Sequence, residues 1–97
     1  MEKRHLIEQH IEERLQDYYQ LYSGKVCEER LHFQDNGLIF RIDTIGGEFN
    51  GIVVEYAQNE KQAANNLFED GDCFCVDDLS EDQIFDLVIA EIKDAKE

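Results

Sequence analysis

Proline and tryptophan are both absent from this 97-residue chain, and it contains only three cysteines and nine basic residues. Without proline, no segment has the composition of a rigid proline-rich linker. A length near 100 residues suits one compact core and is short for two. We therefore expect residues 1–97 to form a single domain.

The small, odd number of cysteines cannot form a closed disulfide framework, which is typical of proteins in a reducing compartment. Met1–His5 is followed by an amphipathic pattern rather than by the apolar core of a signal peptide. No stretch approaches the ~20 apolar residues needed to span a bilayer. We expect a cytoplasmic protein that is not attached to a membrane.

Basic residues are scarce, and the formal net charge is −14. Residues 1–47 carry 9 acidic and 6 basic residues, whereas residues 48–97 carry 14 acidic and 3 basic residues. A field of this sign repels phosphate groups, so we expect neither direct nucleic-acid binding nor docking to anionic lipid. This net negative charge is compatible with a partner that has a basic surface.

Three apolar-rich segments between Val26 and Ala57 predict an antiparallel meander. Cys27–Phe33 is the first predicted strand, with Leu31 and Phe33 directed inward and His32 directed outward. Leu38–Ile45 and Phe49–Tyr56 are the second and third, and the second shows the period of two that a half-buried strand requires. Asn-Gly at 36–37 and Gly-Gly at 46–47 favour tight hairpin turns between them.

Apolar residues at spacings of three and four predict a first helix over Glu2–Tyr22. Ser23 and Gly24 follow, and a glycine there favours the end of a helix. Beyond the meander, Gln58–Phe68 predicts a short helix or two turns, because its helix formers are followed by two asparagines.

The segment Glu69–Asp72 is expected to break that helix, and Cys73–Val76 is a candidate fourth strand at the sheet edge. Ser80 and Gln83 have capping-box spacing. They predict a last helix over Glu81–Ala95, whose wide apolar arc requires burial.

The predicted order is α-β-β-β-α-(β)-α, and the predicted fold class is α+β. The simplest arrangement is a two-layer sandwich in which a three-stranded meander packs one face against the N- and C-terminal helices. The other face is expected to be open to solvent.

Catalytic and metal-binding signatures are weak. Cys73 and Cys75 would share one face of a strand and offer two thiolates for a metal or redox module, but Cys27 and the histidines show no zinc-type spacing. No nucleophile elbow, phosphate-binding loop or calcium-loop spacing occurs. We expect no enzymatic activity, cofactor or bound metal.

The most unusual feature is an acidic stretch from residue 69 to residue 86 that contains no lysine or arginine. It has eight acids, which we take as the candidate partner-binding residues: Glu69, Asp70, Asp72, Asp77, Asp78, Glu81, Asp82 and Asp86. Charged side chains also protect sheet edges from aggregation, so the same residues have a purely structural interpretation.

The order helix, three strands and helix resembles that of double-stranded-RNA-binding domains, but Glu81–Ala95 contains only Lys93 and lacks the basic surface of those domains. The full order also resembles class I type III secretion chaperones, which bind unfolded effector segments as dimers. Small acidic immunity and inhibitor proteins of bacteria and phages are a third comparison. All three are analogies at the level of the fold.

Together, these observations predict a non-enzymatic protein-binding domain, such as an adaptor, a chaperone-like protein or an immunity-type regulator, that docks a basic partner surface. One alternative is a nucleic-acid mimic that inhibits a DNA- or RNA-handling enzyme, with acids of the first helix extending the surface. Another is the cysteine-based module. Homodimerisation through the open sheet face, near Arg30, Arg41 and Asp43, is also compatible with the sequence.

Overall fold

Helices lie at both ends of the part of the chain that the computed structural model describes, residues 2–95. The elements in order are α1 (Lys3–Leu15), β1 (Gln20–Leu21), β2 (Phe33–Asp35), β3 (Leu38–Ile45), β4 (Gly51–Ala57), α2 (Glu60–Ala64), β5 (Glu69–Cys75) and α3 (Glu81–Ala95).

The strands form one antiparallel sheet in the order β1-β2-β3-β4-β5. The predicted α+β class and the edge strand after the short helix are confirmed. The sheet is nevertheless larger than the predicted meander, because Gln20 and Leu21 add a strand outside β2.

The turn between β2 and β3 follows the prediction. Asn36 and Gly37 have φ values of 51° and 86°, the two successive positive values that a type I′ hairpin turn needs. The second predicted turn is wrong as a two-residue connection. A loop over residues 46–50 joins β3 to β4, with Gly47 at φ 102°, and β4 begins at Gly51 rather than at Phe49.

The predicted extension of the first helix to Tyr22 is wrong, because α1 ends at Leu15. The ring of Tyr19 packs edge-to-face on Phe40, with centroids 5.1 Å apart, and the backbone N–H of Tyr22 donates to the His32 carbonyl at 2.8 Å. Tertiary packing and strand pairing therefore override a periodicity that a continued helix would also satisfy.

The first predicted strand is also mostly wrong, since only its last residue, Phe33, lies in β2. Leu31 is 36% exposed, whereas His32, predicted to face outward, is 2% exposed. The Cys27 thiol donates to the Ala64 carbonyl at 3.1 Å, so this segment follows the second face of the sheet instead of pairing along β3.

The main core lies between the sheet and the two long helices, which pack side by side as predicted. Its largest fully buried side chains include Ile11 and Leu15 of α1, Phe40 of β3, and Ile84 and Ile92 of α3. α1 packs over β3 and β4, and α3 packs over β4 and β5.

The second face of the sheet is not simply open to solvent. Ile39, Ala57 and Ala63 form a small buried cluster there, and the partly buried rings of Tyr22 and Phe68 pack against it. The short helix α2 therefore covers part of the face that the sequence predicted to be solvated.

The C-terminal part combines one correction with one confirmation. Glu69–Asp72, predicted to interrupt regular structure, forms the first half of β5. The capping box is present: the Ser80 hydroxyl accepts from the Gln83 amide at 3.2 Å, and the Gln83 side chain accepts from the Ser80 amide at 2.9 Å. Helix α3 has the predicted bounds.

Candidate functional site

The acidic stretch divides between β5, the following turn and the start of α3. Glu69, Asp70 and Asp72 lie on β5 and are exposed. Glu91, from the following helix, approaches the same strand, and its carboxylate accepts a hydrogen bond from the backbone N–H of Asp72. We call these four residues the β5 acidic edge.

A bulge places the acids of this edge. Between the pairs Val53–Cys73 and Glu55–Asp70, Gly71 and Asp72 both lie opposite one residue of β4. A Cβ atom at Gly71 would overlap the Glu91 carboxylate and the Tyr56 ring, so glycine permits the close approach of α3.

The electrostatics of this region are those of uncompensated negative charge. Burial and the Asp72 carboxylate raise the pKa of Glu91, although its hydrogen bond from the Asp72 amide opposes the shift. The pKa of the Tyr56 hydroxyl is raised by burial and then by Glu91 and Asp72. The pKa of the Cys73 thiol is raised by burial and by Asp70, Glu91 and Asp72. Burial and the neighbouring carboxylates therefore disfavour the ionised forms of Glu91, Tyr56 and Cys73.

Two of the candidate acids have structural partners instead. The Glu81 carboxylate lies 2.6 Å from His10 Nδ1, and Asp82 lies 2.9 Å from Arg14 Nη1. These contacts join the first turn of α3 to α1. The dipole of α3 also favours acidic side chains in its first turn. They explain Glu81 and Asp82 without a partner protein.

The remaining candidate acids, Asp77, Asp78 and Asp86, belong neither to the β5 acidic edge nor to the contacts between α3 and α1. Asp77 accepts a hydrogen bond from the Asn50 side chain at 3.3 Å. Asp78 and Asp86 are exposed and make no ion pair within residues 2–95. The eight acids therefore do not form a single site.

Glu91 is the member of the β5 acidic edge that the sequence analysis missed. Its signal was its place on α3, on the side shared with the apolar residues Ile84 and Val88. A carboxylate within an apolar helix face indicates a polar partner on the element beneath, which here is the backbone of β5.

A second charged group occupies the face of the sheet beneath α2. Arg41 is 5% exposed; its Nε lies 2.7 Å from Glu55 Oε1, and its Nη1 lies 2.9 Å from Asn66 Oδ1. The guanidinium also stacks over the Phe68 ring at 3.9 Å. The positive φ of Asn66, 57°, places its amide for this contact. Because every partner belongs to the chain, Arg41 is not available for a dimer contact at this position.

A cleft of about 300 Å³ separates α1 from the segment before β2, and Glu8, Glu12 and Arg30 line it. The Arg30 guanidinium binds Asp43 at 3.1 Å. Burial, followed by repulsion from Glu8, raises the pKa of Glu12 to about 7. Ile42 of β3 lines this cleft, whereas the β5 acidic edge lies two strands away in the sheet.

Cys73 and Cys75 occupy alternate positions of β5, opposite Val53 and Gly51, so they share one face as predicted. Within residues 2–95 there is no cluster of three or more His, Cys, Asp or Glu side chains arranged to hold a metal ion. The raised pKa of the Cys73 thiol disfavours the thiolate that soft metals and redox chemistry need.

The chain matches no protein-family model, and no curated protein or solved structure is detectably similar to it. The resemblances drawn from the order of elements therefore stay analogies. Among residues 2–95, none of the helices has the length and apolar character needed to cross a bilayer.

Proposed function

We propose that this protein is a non-enzymatic protein-binding domain that docks a basic partner surface through the β5 acidic edge. The observation that carries the proposal is the position of Glu69, Asp70 and Asp72 on an exposed strand at the border of the sheet.

Among residues 2–95, no basic side chain lies within 4 Å of a carboxylate oxygen of Glu69, Asp70 or Asp72. The four arginines are each within 4 Å of at least one carboxylate: Arg4, Arg14, Arg30 and Arg41. None of these pairs involves Glu69, Asp70 or Asp72. An opposite charge on a partner would therefore meet an unscreened patch, which favours fast encounter and selection of basic surfaces.

The nucleic-acid mimic remains a second hypothesis, with less support from the arrangement of the acids. That function requires carboxylates spread over one continuous surface, extended by acids of the first helix. In the structure, Glu8 and Glu12 line a cleft beside Arg30, which binds Asp43 of β3, whereas the acidic edge lies on β5, two strands away.

The proposal can be tested with three baits used for capture from a lysate of the source cell after nuclease treatment. The first bait is the unaltered protein, and the second carries Glu69→Gln, Asp70→Asn and Asp72→Asn. The matched control neutralises three exposed acids elsewhere. Its substitutions are Glu13→Gln, Asp17→Asn and Glu48→Gln.

We expect one stoichiometric partner on the unaltered and control baits, lost from the edge-neutralised bait and released at high salt. Equal retention on all three baits would contradict docking through this edge. If the partner is an enzyme that acts on DNA or RNA, a competition assay decides between the hypotheses. A mimic displaces the nucleic acid, whereas an adaptor leaves its affinity unchanged.

A further inference from the structure

The outer border of β5 is an unpaired strand edge. β5 is the last strand of the sheet, and the elements that pack closely on it within residues 2–95 are β4 and α3. The opposite border, β1, is only two residues long and offers little backbone for pairing. β5 spans seven residues, so it is the longer free edge.

The ladder shows which backbone groups of β5 point outward. Val76 donates its N–H to the Asn50 carbonyl at 2.9 Å, so Val76 bonds toward the β4 side. Hydrogen-bonded and non-hydrogen-bonded pairs alternate along an antiparallel ladder. Phe74 therefore bonds to β4, whereas the N–H and C=O groups of Cys73 and Cys75 point away from it.

The same alternation applies beyond the bulge. Glu55 lies opposite Arg41 on one side and Asp70 on the other. Its N–H and C=O groups bond toward β3, as those of Val53 do, so the backbone groups of Asp70 are also directed outward. Cys73 and Cys75 thus present pairing groups two residues apart, as a regular added strand requires. The bulge separates Asp70 from Cys73 by three residues, so an added strand needs a matching irregularity there.

We propose that the partner contributes an extended basic segment that pairs with β5 as a sixth strand of the sheet. The inference rests on the proposed function and specifies how the same edge binds. Main-chain hydrogen bonds would come from Asp70, Cys73 and Cys75. Selectivity for basic side chains would come from Glu69, Asp70 and Asp72, which flank the added strand.

Charge decides between the two occupants that could use this edge. A second copy of the chain would bring two sets of Glu69, Asp70 and Asp72 together, and like charges across a strand pair are destabilising. A lysine- or arginine-rich segment would instead place opposite charges across the strand pair, which is stabilising. Acidic side chains on the edge therefore oppose self-association and leave pairing open to a basic strand.

The probe is a short synthetic peptide that alternates lysine with valine, titrated into the isotope-labelled full chain and followed by nuclear magnetic resonance. A peptide alternating glutamate with valine is the control. We expect the lysine peptide to slow exchange of the Cys73 and Cys75 amide protons by about fivefold or more when bound, as newly formed hydrogen bonds would. The glutamate peptide should leave exchange unchanged.

Cys75→Pro removes one outward N–H and leaves the bonds to β4 intact, since proline is tolerated where a strand N–H faces solvent. Cys75→Ala is the matched control, because it alters the side chain and keeps the N–H. We expect Cys75→Pro to weaken peptide binding about tenfold and Cys75→Ala to change it less than about twofold.

The outcomes separate this inference from the proposed function. If neutralising Glu69, Asp70 and Asp72 weakens binding while the exchange rates and the Cys75→Pro affinity stay unchanged, docking stands and strand addition is overturned. If the lysine peptide does not bind, strand addition is overturned and the capture experiment decides docking. If the peptide binds but no substitution weakens its binding, both are overturned. Slowed exchange that grows with protein concentration alone would identify a second copy as the occupant. Should Cys75→Pro fail to fold, the exchange rates in the unaltered chain decide.

Discussion

Replacing Glu12 by glutamine should make the protein more stable at alkaline pH and leave its stability at acidic pH nearly unchanged. Glu12 borders the cleft beside Arg30, where burial is the largest cause of its raised pKa and the carboxylates of Glu8 and Asp43 add to it. Arg30 opposes the shift without cancelling it.

The sign follows from the two pKa values, 4.5 for an unperturbed glutamate and about 7 in the folded protein. Between them the folded state binds more protons than the unfolded state, so the free energy of unfolding falls as pH rises through this window. The penalty is absent below the lower value and complete above the upper one. A full shift corresponds to about 3 kcal/mol, and contact with water lowers our expectation to about 2 kcal/mol.

The assay is urea unfolding followed by circular dichroism at a series of pH values from about 4 to about 8. Glu13→Gln is the matched control, because Glu13 is exposed on the next position of α1 and the substitution removes the same formal charge. We expect Glu12→Gln to gain about 2 kcal/mol over the unaltered chain at about pH 8, and Glu13→Gln less than about 0.5 kcal/mol. Equal gains for the two variants would refute the reasoning, since general charge repulsion would then explain both.

Three further substitutions test the packing. Arg41→Met should destabilise the fold by about 3 kcal/mol in denaturant unfolding, because it leaves the largely buried Glu55 carboxylate, 13% exposed, without its partner. Adding Glu55→Leu should recover at least half of the loss; a double variant as unstable as the single one would contradict this. Gly71→Ala should lower stability by about 1–3 kcal/mol, because the new methyl group overlaps α3 and β4 side chains; an unchanged midpoint would show that the bulge adapts. Ser80→Ala should lower the free energy of unfolding by about 1 kcal/mol through loss of the cap of α3. The control Ser23→Ala removes a serine that caps no helix and should lower it by less than about 0.5 kcal/mol. Similar losses for the two variants would contradict the capping role of Ser80.

The acidic stretch shows how far a sequence pattern can identify a site. Its composition predicted a charged surface, and Glu69, Asp70 and Asp72 are indeed exposed. The pattern did not distinguish them from Glu81 and Asp82, because the partners of those two lie on α1, far away in the sequence. Nor did it predict that the strand expected from Cys73 begins at Glu69, because the acidic residues there have low strand propensity and the pairing with β4 compensates for it.

Features that depend on neighbouring residues could be predicted from the sequence. The Asn36–Gly37 turn, the bounds of β3 and the capped start of α3 each follow from a local backbone preference or from the period of the apolar residues. The end of α1 and the burial of Arg41 could be seen only in the tertiary structure. Each of these depends on contacts between elements distant in the chain, whose energies exceed local propensity and leave no periodic mark in the sequence.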